Sequence, residues 1–387
     1  MMSRSAAEVI ASHLRPGGRI AVADGAGMPM SLAAPLAEAA AGVGDISLLL
    51  GWCLDRPVDL EAGNPFRDIR TIMGGFALRS PVEAGLVRYV PTRLSAVPSL
   101  LTGPLRPDVL MVSLAPGQSG WVWGTEVSWM QALVDAGIPV VAEVNDGLPR
   151  CSRLAELPRS RVEVVAEVTR PPLDFPAVPS DEVSVTIARQ VLPWLTPGCS
   201  VQYGPGPIAD AVLDLVEHPL RLRSGMLTDA AVRLAERGLL SGTPSAAYVA
   251  GTAPLYEWCD GVGIVDRVEK THALPSVEES PMVTLNMALE VDVYGQVNVQ
   301  SADGREIGGI GGHPDFSRVG AVSPGGLSIV AVPTCRGSRS TLRSRLTGPV
   351  STPRFDVDVV VTEHGSVDLR GLCDTERVTA VSSLWPD

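Results

Sequence analysis

Lysine is almost missing from this chain: Lys270 is the only one in 387 residues, so the other basic residues are arginine. Any anionic group on a ligand must then be held by guanidinium forks or backbone amides. The formal net charge of −12 works against binding a polyanion through accumulated Lys and Arg, which sets nucleic acid aside as a partner. Aromatic residues make up only 4%, leaving Leu, Val and Ala to fill the interior. The six cysteines, Cys53, Cys151, Cys199, Cys259, Cys335 and Cys373, lie far apart. They form no C-x-x-C pair and have no histidine at zinc-ligand spacing, so reduced thiols and no metal are expected. No apolar run reaches membrane-spanning length, and Met1–Arg15 lacks the apolar core of a signal peptide. A cytoplasmic location without membrane association is the expectation.

What is present is enough chain for two cores. Between Gly18 and about Val168, short apolar runs alternate with stretches of helical spacing. Ile20–Val22, Ile46–Leu50, Val87–Val90, Val109–Ser113 and Val140–Val144 read as strands, and Ser31–Ala41 and Val127–Ala136 as helices. This is the pattern of an α/β layered domain with a buried, largely parallel sheet. Arg170–Ser180 carries four prolines, each of which removes a backbone donor, so the domain boundary is placed there. The expected domains are 1–175 and 176–387. Beyond the boundary, helical spacing over Asp181–Leu195, Pro207–Glu217 and Asp229–Arg237 alternates with strands at Ser200–Tyr203 and Leu220–Ser224, and Gly238 stands as a C-terminal cap. Later β-rich passages are Val283–Gln300, Leu327–Pro333 and Val357–Val361.

Four places could carry chemistry. Gly204-Pro205-Gly206-Pro207 lies between a strand and a helix, where glycines let a ligand approach free amides; an ordinary tight turn has the same composition. Gly308-Gly309-Ile310-Gly311-Gly312-His313 exposes several amides without side-chain obstruction, as an anion nest or oxyanion hole requires; the alternative is a flexible surface linker. His313 is a candidate base or donor, although a lone histidine also serves structural roles. Glu290 and Asp292 alternate along a strand and share a side. Such a pair does acid/base work if partly buried and is a solvated face otherwise.

Taken in order, these segments resemble the acetyl-CoA hydrolase/transferase family, which includes 4-hydroxybutyrate, butyrate and succinate CoA-transferases. The resemblance rests on Asn286-Met287-Ala288-Leu289-Glu290-Val291-Asp292, Gly295-Gln296-Val297-Asn298, the glycine loop through Asp315-Phe316, Val361-Thr362-Glu363-His364-Gly365, and Asp368-Leu369-Arg370-Gly371. Weaker matches are Ala142-Glu143-Val144-Asn145 with Pro149, and Gly204 to Asp210.

The resemblance implies two open layered α/β domains with an acyl-CoA cleft between them, coenzyme A as the carried group, and a homodimer or hetero-oligomer. It places Gly204, Gly206, Asn298, Gly309, Gly311 and Gly312 at the substrate, with Glu290 or His313 as the base. The family's transferases use a glutamate nucleophile in a His-Thr-Glu-Met segment, giving an acyl anhydride and then a glutamyl-CoA thioester. The matching segment here is Arg223-Ser224-Gly225-Met226, followed by Thr228-Asp229, so Gly225 stands at the nucleophile position. Pro324 and Leu327 replace lysines near bound CoA, and His313 replaces a glutamine. Loss of the glutamate side chain is expected to leave room for water, making thioester hydrolysis the first expectation. The alternatives are CoA transfer through another nucleophile, hydrolytic carbon–carbon cleavage of a cyclic or β-keto acyl-CoA, and a non-catalytic acyl-CoA binder or subunit.

Overall fold

Val109–Pro116 and Val140–Asn145 are buried along almost their whole length, as strands covered on both faces must be. They lie side by side within one sheet of a computed structural model that describes residues 4–61, 63–275, 281–302 and 304–386. The chain divides into two units, one of Met1–Phe175 with Ala247–Lys270, the other of Pro176–Ala246 with Thr271–Asp387.

In the first unit, parallel strands run in the order Arg88–Tyr89, Phe66–Thr71, Ile46–Leu50, Arg19–Val22, Val109–Pro116, Val140–Asn145, Val162–Val168. Two short antiparallel strands, Gly120–Trp123 and Leu157–Pro158, extend it from the end of Val109–Pro116. Phe66–Thr71 escapes the apolar-run criterion because Arg67, Asp68 and Arg70 sit among buried Phe66, Ile69 and Thr71. The helix expected from Val127 begins only at Met130. Upstream of it, Ser128 adopts φ +41° and gives its hydroxyl to the Tyr248 oxygen at 2.6 Å, a conformation that interrupts helical geometry. The proline-rich stretch from Thr169 to Ser180 has neither helix nor strand. Its first part is fixed by Leu173 N–H to Ala26 O and Phe175 N–H to Gly251 O, both 2.8 Å.

The second unit is built on a six-stranded sheet ordered Arg221–Leu222, Ser200–Tyr203, Met282–Met287, Leu327–Ala331, Val359–Thr362, Gly365–Asp368. All neighbours are parallel except the last pair. Helix Glu182–Val191 starts where Asp181 accepts the Ser184 N–H at 2.8 Å, an acidic N-cap. Helix Asp229–Glu236 ends before Gly238 at φ +71°. A small second sheet pairs Glu290–Asp292 with Val297–Asn298 and with Leu342–Arg343. Its Val291 and Val297 pack with Val330, Val360 and Leu369 in one apolar cluster, which anchors the loops at the carboxyl ends of the parallel strands. All six cysteines are unpaired. No helix among the described residues is long and apolar enough to cross a membrane.

Candidate active site

In open parallel sheets, ligands meet the chain beyond the carboxyl ends of the strands. In the second unit that edge gathers Gly204 after Ser200–Tyr203, Gly225 after Arg221–Leu222, and Met287 at the end of its strand. Gly204 donates its N–H to Leu285 O at 2.9 Å, and Gly206 caps helix Pro207–Leu215 with φ +151°. The Met287 methyl lies 3.3 Å from where a β-carbon at either 204 or 206 would stand. Glycine at both positions is thus what lets the methionine close over the turn. Below it, Gln202 and Asn286 exchange side-chain amide hydrogen bonds of 3.1 and 3.2 Å.

Ser224 anchors the neighbouring turn by donating its hydroxyl to Tyr203 O at 2.9 Å, and its N–H bonds Ser245 O at 2.8 Å. Gly225 follows, and the space ahead of it is occupied. A β-carbon there would lie 3.1 Å from Phe316 Cε2 and 3.4 Å from His272 Nε2. The room for water expected from the missing side chain is filled by an imidazole and a phenyl ring. The two rings lie 4.4 Å apart, centroid to centroid.

On its other side, the same imidazole faces the glycine loop: a β-carbon at Gly312 would stand 2.6 Å from His272 Nε2 and 3.2 Å from Phe316 Cε2. His272 is only 5% exposed. Its Nδ1 lies 2.9 Å from the Thr271 hydroxyl, whereas Nε2 has no hydrogen-bond partner among the described residues. Leaving such a group unpaired costs about 1–3 kcal/mol. Burial, reinforced by the positive Arg223 guanidinium, lowers its pKa to about 3, so the ring is neutral near pH 7. Nothing in the sequence around His272 singled it out.

Gly312 is also the N-cap of helix His313–Val322, so the loop containing Gly309, Gly311 and Gly312 delivers the chain to the positive end of a helix dipole. Gly311 takes φ +56°, which glycine adopts without strain. His313 sits in the first turn with Nδ1 2.7 Å from the Thr352 hydroxyl. Burial lowers its pKa to about 4, partly opposed by a hydrogen bond to the Met287 backbone carbonyl.

Two other predicted site residues are placed differently. The Glu290 carboxylate receives Arg343 through Nε at 2.8 Å and Nη2 at 2.7 Å on one oxygen, and Asn298 Nδ2 and the Thr347 hydroxyl, each at 3.2 Å, on the other. Both oxygens are engaged, so Glu290 acts as a post for the small sheet rather than as an open base. Asn298 is fully buried. Its amide also donates to Ser301 O at 2.7 Å, and its oxygen accepts the N–H groups of Gln300 and Ser301 at 3.0 and 3.2 Å. Its two donors and two lone pairs are all occupied, which leaves none for a ligand. Asp292, the supposed acid/base partner, instead accepts the Tyr294 and Gln296 N–H groups and fixes the turn to Val297.

The first unit holds a second buried polar cluster that the sequence reading did not anticipate. Asp24 accepts the Trp52 N–H at 2.9 Å, Trp129 Nε1 at 3.0 Å and the Tyr248 hydroxyl at 3.1 Å. Burial pushes its pKa up to about 6. Glu126 accepts the Thr125 hydroxyl at 2.6 Å and the Gly27 N–H at 3.2 Å, and burial pushes it up to about 8. Gly25 and Gly27 leave Glu126 its space, because a β-carbon at either would collide with its carboxyl group.

Comparison with known proteins sets this geometry in context. Residues 251–384 match the model of the acetyl-CoA hydrolase/transferase C-terminal domain. A 4-hydroxybutyrate coenzyme A transferase of Clostridium kluyveri is 28% identical over 339 residues, 82% of this chain and 79% of that protein. An acetyl-CoA hydrolase of Kluyveromyces lactis is 28% identical over 250 residues, 57% of this chain and 46% of that protein. Among solved structures, RipA from Yersinia pestis superposes with a TM-score of 0.88 at 23% identity, covering 98% of this chain and 93% of that one. A 4-hydroxybutyrate CoA-transferase from Porphyromonas gingivalis gives 0.79 at 23% identity with the same coverage. The α/β architecture is that of these neighbours.

Proposed function

We propose that this chain, which belongs to the acetyl-CoA hydrolase/transferase family, catalyses direct attack of water on an acyl-CoA thioester. It is an acyl-CoA hydrolase or CoA-transferase-like enzyme; hydrolysis is the specific reaction we assign. The observation that carries this reading is Gly225. The position that the family resemblance gives to a nucleophilic glutamate has no side chain, and the space before it holds His272 and Phe316 rather than a carboxylate. A covalent glutamyl route through this position has no atom to start from.

The surroundings suit a developing oxyanion. The loop Gly309–Gly312, the N-terminus of helix His313–Val322 and the buried Arg223 guanidinium all favour negative charge. His313 is neutral near pH 7 and serves as general base. It takes a proton from water as the new carbon–oxygen bond forms, then returns it to the CoA thiolate when the carbon–sulfur bond breaks. The Gly204-to-Gly206 turn lets coenzyme A approach the backbone closely. On the same reading the protein works as a cytoplasmic homodimer. Glu290 and Asn298 support these loops without touching substrate.

A second reading, CoA transfer to a free carboxylate, is favoured by the names of several relatives. Incubation with a panel of acyl-CoAs, with and without acetate or succinate, separates the two. Free CoA produced without an acceptor supports hydrolysis; new thioesters formed only with an added carboxylate would overturn it.

A further inference from the structure

We propose that His272 is a catalytic hydrogen-bond donor, its Nε2–H taking the thioester carbonyl oxygen at the glycine loop that ends in Gly312. The proposal rests on the acyl-CoA reading above and adds a residue that neither the motifs nor the family resemblance supplies. Three observations carry it.

The space beside that loop is built around this ring. Glycine stands on both sides of it, and a β-carbon at Gly312 would come within 2.6 Å of Nε2. Phe316 closes a third side at 4.4 Å between centroids. A β-carbon at Gly225 would make only ordinary contact with Nε2, at 3.4 Å, so the glycine that the imidazole requires is Gly312.

The unused valence is on the atom that faces the glycine loop. Nδ1 is engaged with the Thr271 hydroxyl at 2.9 Å, while Nε2 lacks a partner among the described residues although the ring is 5% exposed. Buried nitrogens without partners are uncommon and need an explanation. A ligand oxygen in the loop supplies one.

The local charge selects donation over proton abstraction. The groups acting on His272 are burial and the Arg223 cation alone, which oppose an imidazolium and favour an anionic oxygen. A neutral imidazole donating to a carbonyl is the electrophile this environment maintains.

The test pairs spectroscopy with volume-matched variants of the full chain. In protein labelled with 15N-histidine, an acetyl-CoA ketone analogue with methylene in place of the thioester sulfur should shift the His272 Nε2–H resonance downfield. A resonance unmoved at saturating analogue would overturn the proposal. Calorimetric binding of CoA itself then shows whether the acyl-CoA reading survives that failure or falls with it. Kinetically, His272→Met keeps the volume without the donor and should lower kcat about 100-fold or more with KM within about threefold. His272→Gln restores an N–H donor and should recover most of that loss. A His272→Met enzyme that is folded and turns over acyl-CoA at the wild-type rate would equally overturn it.

Discussion

His272 Nε2 lies 2.6 Å from the point where a β-carbon on Gly312 would stand, so the imidazole and a side chain at 312 cannot share the site. Gly312→Ala should accordingly lower kcat/KM at least tenfold, with a destabilisation of about 1–3 kcal/mol from overpacking. Steady-state kinetics and thermal unfolding check both. The double variant Gly312→Ala/His272→Ala should recover the stability and not the rate.

Placing a carboxylate where the family resemblance sets one, by Gly225→Glu, should not by itself produce transfer. The new side chain would meet Phe316 at 3.1 Å and His272 at 3.4 Å from its first carbon. The expected outcome is lower stability and no movement of CoA onto added acetate. Gly225→Glu combined with His272→Ala opens the volume, and exchange should be detectable only there.

The Glu290–Arg343 pair predicts a loss of a different kind. Removing one partner of a largely buried, hydrogen-bonded pair costs on the order of 2–4 kcal/mol, below the fully buried case because Arg343 is 27% exposed. Glu290→Ala should therefore lower the denaturant midpoint strongly. At temperatures where the variant is folded, kcat should stay within about threefold of wild type.

Glu126 makes stability depend on pH. Its pKa is raised by burial to about 8 from an ordinary 4.5, so the folded state holds a proton that the unfolded chain has released. The stabilisation is complete below about pH 4.5 and is lost as pH rises to about 8. The difference in unfolding temperature between wild type and Glu126→Gln should shift against wild type across that window. His272 and His313 act in the opposite direction: their lowered values, about 3 and about 4, contribute stability above about pH 6.5 that is lost on acidification. Buffer-matched calorimetry at several pH values resolves the two.

The buried strands were legible because Ile46–Leu50 and Val140–Asn145 concentrate apolar residues in short stretches, and the helix end before Gly238 because glycine suits a C-terminal cap. Phe66–Thr71 was not, since its charges hide the period. At the site, the glycine loop and His313 were visible as a local motif. His272 was not, because its neighbours Gly225 and Gly312 are brought to it by the fold and nothing in Thr271-His272-Ala273-Leu274-Pro275 marks it. The engagement of Glu290 was hidden for the same reason: its ion-pair partner Arg343 lies 53 positions away. A residue's chemistry can be read locally, but whether its valences are free depends on long-range contacts.

The central claim, that water and not a protein carboxylate attacks the thioester, is tested most directly by a single turnover with enzyme in excess in 18O water. The account predicts one 18O atom in the released acid after the first turnover. An unlabelled acid, with 18O recovered instead in an aspartate or glutamate side chain, would contradict it.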